Sequence, residues 1–99
     1  MDKEKLQEFV SAIRKKVDAS RIILYNQRVN FQGEITSFKL CVIIKSGDTD
    51  QVEKGIYLCC DSPVPYDVLV YTQEVWDKIA SRPLSFASKI ERTGQVLYG

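Results

Sequence analysis

The side chains in this 99-residue chain that could do chemistry are few, and histidine is not among them. Without an imidazole, Ser-His-Asp hydrolysis, Cys-His proteolysis, histidine-ligated metalloenzymes and histidine-dependent ribonuclease chemistry are excluded. General acid–base work would fall to Asp, Glu, Lys, Tyr or Cys. The three cysteines, Cys41, Cys59 and Cys60, are odd in number and lack C-x-x-C spacing. Neighbours such as Cys59 and Cys60 form a disulfide only across a distorted peptide link. They read as reduced thiols that pack as small hydrophobes. A zinc site from these three and Asp61 would have an unusual ligand set at unusual spacing.

Charge narrows the partners. Fourteen Lys and Arg against thirteen Asp and Glu leave a formal charge of +1, so bulk electrostatics gives no support for nucleic-acid or anionic-membrane binding. The Arg14-Lys15-Lys16 run reads as a solvated helix face. No apolar stretch approaches the roughly 18 residues of a membrane span. The Met-Asp-Lys-Glu-Lys start lacks the apolar centre of a signal peptide. The expectation is a reduced, cytoplasmic protein built as one domain over residues 1–99.

The elements that must position any site follow from periodicity. Leu6, Phe9, Val10, Ile13 and Val17 recur at helical spacing. Arg21 to Tyr25 is a short β-branched and aromatic strand, and Asn26 to Gly33 reads as a polar turn with a short helical piece. Residues 38–45 form a second strand, punctuated by Ser46-Gly47-Asp48. Val52, Ile56 and Cys59 fit a helix starting near Asp48 or Thr49, while residues 56–60 fit a strand equally well. Residues 66–71 form a third strand, with Asp67, Leu69 and Tyr71 on one face. Thr72 can cap the helix that carries Val75, Trp76 and Ile79. A last helix holds Phe86 and Ile90, Gly94 is a left-handed cap candidate, and Val96-Leu97-Tyr98 is a short apolar end. The order implies an α/β (α+β) fold: a small mixed sheet of at least three strands, covered by helices.

Two segments carry a family resemblance. Residues 66–76, Tyr-Asp-Val-Leu-Val-Tyr-Thr-Gln-Glu-Val-Trp, resemble the third strand and Thr-Pro-Glu-type helix start of the minimal nucleotidyltransferase domain. That domain is a small relative of DNA polymerase β and kanamycin nucleotidyltransferase. Ser85-Phe86 through Ile90-Glu91-Arg92-Thr93-Gly94-Gln95-Val96-Leu97-Tyr98 resembles its closing segment. The similarity covers most of the chain, from the first helix to Tyr98.

The front half departs from the pattern. Where the family has Gly-Ser after its first strand, this chain has Asn26-Gln27, followed by Arg28, which matches the family's arginine. Thr36-Ser37-Phe38-Lys39-Leu40 falls where Ser-Asp-Ile-Asp-Leu would be, so Ser37 and Lys39 replace two aspartates and Asp67 alone remains of three carboxylates. The family's reaction uses two divalent ions held by that triad. Exchanging it for Ser37, Lys39 and Asp67 changes the formal charge from −3 to zero, and an ammonium repels a hard dication.

The resemblance therefore implies a pseudoenzyme: a nucleotidyltransferase-like binding or assembly module with a vestigial site at Asn26, Gln27, Arg28, Ser37, Lys39 and Asp67, no metal and no cofactor. The alternative is an active nucleotidyltransferase that uses magnesium and a nucleoside triphosphate and recruits Glu34 or Asp61 beside Asp67. Lys39 could also replace the metal charge and hold phosphates, against which stand the bulky Asn26 and Gln27. The expected partner is a second copy or a small helical protein of a toxin–antitoxin-type pair, with Trp76, Tyr57 and Tyr98 large enough to anchor it. If Lys39 and Asp67 lie on adjacent strands, they are expected to meet as an ion pair.

Overall fold

The amphipathic N-terminal stretch forms α1 (Lys3–Lys16), with Leu6, Phe9, Val10 and Ile13 buried on one face. The Asp2 carboxylate caps it by accepting from the Lys5 amide, and Arg14, Lys15 and Lys16 occupy the last turn, where cations suit the helix dipole. The computed structural model describes residues 1–99. After α1 come β1 (Ala19–Val29), β2 (Ile35–Ile44), α2 (Thr49–Cys59), β3 (Tyr66–Thr72), α3 (Gln73–Ala80), α4 (Phe86–Thr93) and β4 (Gln95–Tyr98). The strands form one mixed sheet in the order β3-β2-β1-β4, with β2 and β3 parallel and the other pairs antiparallel.

The sheet is sandwiched. On one face, Ile22, Leu24, Phe38, Leu40, Val42, Ile44 and Val68 pack against α1 and against Ile56 of α2. On the other, Ile23, Cys41 and Ile43 pack against Trp76 of α3 and Ala87 and Ile90 of α4. Strand alternation produces both layers from one sequence, since neighbouring residues of β2 point to opposite faces. Helix caps fix the remaining boundaries. Asp48 accepts from the Asp50 and Gln51 amides, Thr72 from Val75 and Ser85 from Ser88. No helix is long and apolar enough to cross a membrane.

Two sequence expectations need correction. Residues 26–33 contain no helical piece. β1 continues to Val29 and turns through a tight hairpin in which the Gly33 amide donates to the Asn30 carbonyl at 3.0 Å. The Asn30 side chain accepts from the Gln32 and Glu34 amides, and Gly33 has φ +84, the left-handed residue such a turn requires. Gly94 is not left-handed: its φ is −74, and a Cβ there would stand 2.6 Å from Ile23 Cγ2 and 2.7 Å from the Ile90 carbonyl oxygen. Close approach, not handedness, calls for glycine. The chain end at residues 95–98 is a fourth strand on the far side of β1. Residues 56–60, open between helix and strand, complete α2, with Cys60 as its C-cap.

Candidate functional site

The register of the sheet decides where the candidate residues stand. Lys39 on β2 is paired with Asp67 on β3 and with Asn26 on β1, so the three form one row across three strands. One row further out, Arg28 pairs with Ser37. All five belong to the face that carries Cys41 and Ile43, because partners and alternate residues share a face. A bulge between Leu24 and Asn26 lets Tyr25 and Asn26 both serve this face. Gln27 is the exception. It pairs with Phe38 and lines a hollow of about 660 Å³ on the opposite face, with Leu6, Leu24, Val29 and Leu97.

The row is open. Asn26, Arg28, Lys39 and Asp67 are exposed and Ser37 half-buried. The expected ion pair does not form, although the strands are aligned as required: the chain's ion pairs are Arg21–Glu91, Lys45–Asp18 and Lys78–Glu74. Two solvated side chains gain about 0–1 kcal/mol by pairing, which does not outweigh the freedom they lose. Tyr25 closes the row on the core side. Its ring meets Phe86 edge-to-face at 5.4 Å, and burial, helped by the nearby Cys41 and Asp67, pushes its hydroxyl up to about 12. It stays protonated at neutral pH.

The other half of the same face holds a network that the sequence reading did not single out. Trp76 Nε1–H and Arg21 Nη1–H both donate to Glu91 Oε1, each at 2.5 Å. Those bonds, the arginine's first, hold the Glu91 carboxyl below its ordinary range against partial burial. Beside them the Ser20 hydroxyl lies 3.1 Å from the Ile43 carbonyl oxygen and 3.0 Å from Gln73 Oε1, and Gln73 Nε2 donates to Asp77. A buried tryptophan needs a partner for its N–H. Trp76 is 1% exposed, so it is a core residue and not a docking anchor. Tyr98 lies half-buried under the Arg14 guanidinium.

No three side chains among Cys, Asp and Glu converge anywhere in the chain to hold a metal ion. Cys41 is buried, and burial pushes its thiol up to about 12. Cys60 is buried and shifted upward for the same reason, while Cys59 is exposed. Glu34 sits at the hairpin, five residues before Lys39 and about 16 Å away along an extended chain. The backbone of Asn26, Gln27 and Arg28 belongs to the β1–β2 ladder. No helix follows the first strand, so no helical N-terminus is presented to a phosphate there.

Compared with models of protein families, with curated proteins and with solved structures, the chain matches none.

Proposed function

We propose that this chain is a nucleotidyltransferase-like domain without nucleotidyl transfer, used as a binding or assembly module. The observation that carries the reading is the Asn26–Lys39–Asp67 row: one amide, one ammonium and one carboxylate in register on three strands. The resemblance implies negative oxygen ligands at Ser37, Lys39 and Asp67, where this chain carries a net charge of zero. Lys39 is one strand spacing, about 4.8 Å, from Asp67 and opposes any dication the carboxylate would attract. The hairpin departs from the resemblance and bears only on the loss of transfer. It stands where the resemblance implies a small-residue phosphate cradle and an arginine-bearing helix.

A binding role draws support from the open half of this sheet face and from large apolar side chains left in water. Phe31 at the hairpin tip is 99% exposed, Leu84 in the loop between α3 and α4 98%, and Leu58 on α2 83%. The partner would be a second copy or a small helical protein, with Lys39, Arg28 and Asp67 as its polar contacts. Two measurements test this. Calorimetric titration with magnesium is expected to give no saturable heat, and a saturable one lost in Asp67→Ala would overturn the loss of the metal site. The native mass of the protein recovered from its own cells is expected to exceed one chain and to fall on Lys39→Glu. A single-chain mass would overturn the assembly reading.

A further inference from the structure

One edge of the sheet has no strand neighbour. β3 lies outermost, and its seven residues Tyr66–Thr72 carry a single charge, at Asp67, among Val, Leu, Tyr and Thr. An edge strand of high β-propensity and low charge is the kind that pairs with another chain. We infer that the Tyr57 hydroxyl is an edge guard, which occupies the backbone N–H of Val68 and so keeps β3 from pairing with β3 of a second copy of this chain.

The alternation of the strand sets up the geometry. Phe38, in register with Tyr66, donates its amide to the Pro65 carbonyl at 3.3 Å. Pro65, Asp67, Leu69 and Tyr71 therefore turn their backbone groups toward β2, and Tyr66, Val68, Val70 and Thr72 turn theirs outward. On this outward row the Val68 amide donates to the Tyr57 hydroxyl at 2.8 Å. The Val70 amide, two residues on, faces the side of β3 on which no strand pairs.

The guard is itself held in place. The Tyr57 ring stacks on Tyr66 with centroids 5.2 Å apart and planes 19° apart, and the Tyr66 hydroxyl donates to the Cys60 carbonyl at 2.8 Å. An antiparallel strand added at β3 would have to exchange bonds with Val68 and Val70 together, since these are adjacent outward residues. With the Val68 donor taken and a phenol standing at the edge, such a strand cannot bond Val68 and Val70 together, and the outward row is interrupted at its centre. The opposite edge needs less protection, because β4 has four residues. This inference is independent of the reading of the Lys39–Asp67 row.

Amide exchange and sedimentation test it together. In the unmodified chain the Val68 amide is expected to exchange at least about tenfold more slowly than the Val70 amide. Equal rates would overturn the proposal, and this comparison requires no variant. Tyr57→Phe keeps the stacked ring and removes the hydroxyl. It is expected to bring Val68 exchange up to the Val70 rate and to add a concentration-dependent association step that the unmodified chain lacks. Sedimentation of Tyr57→Phe identical to that of the unmodified chain would overturn the guard. Adding Val70→Pro to Tyr57→Phe blocks the outward N–H at an edge position where proline is tolerated, and association is expected to vanish. Its persistence would place the contact elsewhere and overturn the assignment to β3.

Discussion

One face of the sheet contains two regions that differ in almost everything except the strands they share. At α3 and α4, Trp76, Arg21 and Glu91 are joined through a single carboxylate oxygen, and Ser20, Gln73 and Asp77 form a second chain of bonds. A few residues away on the same strands, Asn26, Arg28, Lys39 and Asp67 stand in water with no bond or ion pair from their side chains. No buried side-chain polar atom in the molecule lacks a partner. The contrast shows which polar residues hold the fold and which are free for something else. Burial makes unpaired groups costly and enforces networks. Where the helices stop, that pressure stops too, and the charged side chains there stand unpaired.

The comparison breaks most visibly at Trp76. Trp76→Ala empties a core position and orphans one bond to Glu91, so a loss of about 3–5 kcal/mol in urea unfolding is expected. If Trp76→Ala cost no more than a surface change, the covered half would not be the scaffold described. Gly94→Ala comes next, at about 1–3 kcal/mol, because its methyl would meet Ile23 and the Ile90 carbonyl at overpacked distances. Unfolding near the value of the unmodified protein would mean that this turn relaxes freely.

Acid sharpens the comparison. The Glu91 carboxyl is held below its ordinary value near 4.5, so its contribution to stability is fully present above that pH. It is lost as pH falls through the lowered folded value. Glu91→Gln is expected to cost about 1 kcal/mol at neutral pH and to flatten the stability profile in that acid window. An unchanged profile would remove Glu91 from the network. At the bottom of the scale, Lys39→Ala and Asp67→Ala are each expected to shift stability by less than about 0.5 kcal/mol and to add independently. A coupling well above that would mean that the two side chains pair in solution and that the open row is part of the scaffold.

Sequence periodicity located β1, β2 and β3 and the starts of α2 and α3 because capping and alternation are local. Thr72 before Gln73-Glu74 and Asp48 before Thr49 mark their helices through hydroxyl and carboxylate acceptors that act within three residues. The cap at Asp48 also settles residues 56–60, since a helix begun there runs to Cys59 before the Pro63–Pro65 segment. The hairpin was missed for a different reason. Asn26 to Gly33 is polar on both faces, so alternation is invisible, and the useful signal was the Asn30-x-x-Gly33 spacing of its turn. β4 escaped because a four-residue strand is defined by its pairing to Ile22–Leu24, more than seventy residues earlier.

The candidate row was legible in part. Lys39 and Asp67 were expected on neighbouring strands, and they are in register. Whether they would touch was not legible, because side-chain pairing in water depends on solvation and not on strand alignment. Nor did the spacing of the sequence reveal that Gln27 points away from the other five.

The central claim is that a row holding one ammonium and one carboxylate cannot run metal-dependent nucleotidyl transfer, and one assay addresses it directly. The purified chain is incubated with magnesium and each of the four α-labelled ribonucleoside triphosphates, alone and with proteins recovered alongside it, and label incorporation is followed. The account predicts none on the chain or on any partner. Label that requires magnesium and disappears in Asp67→Ala would contradict it.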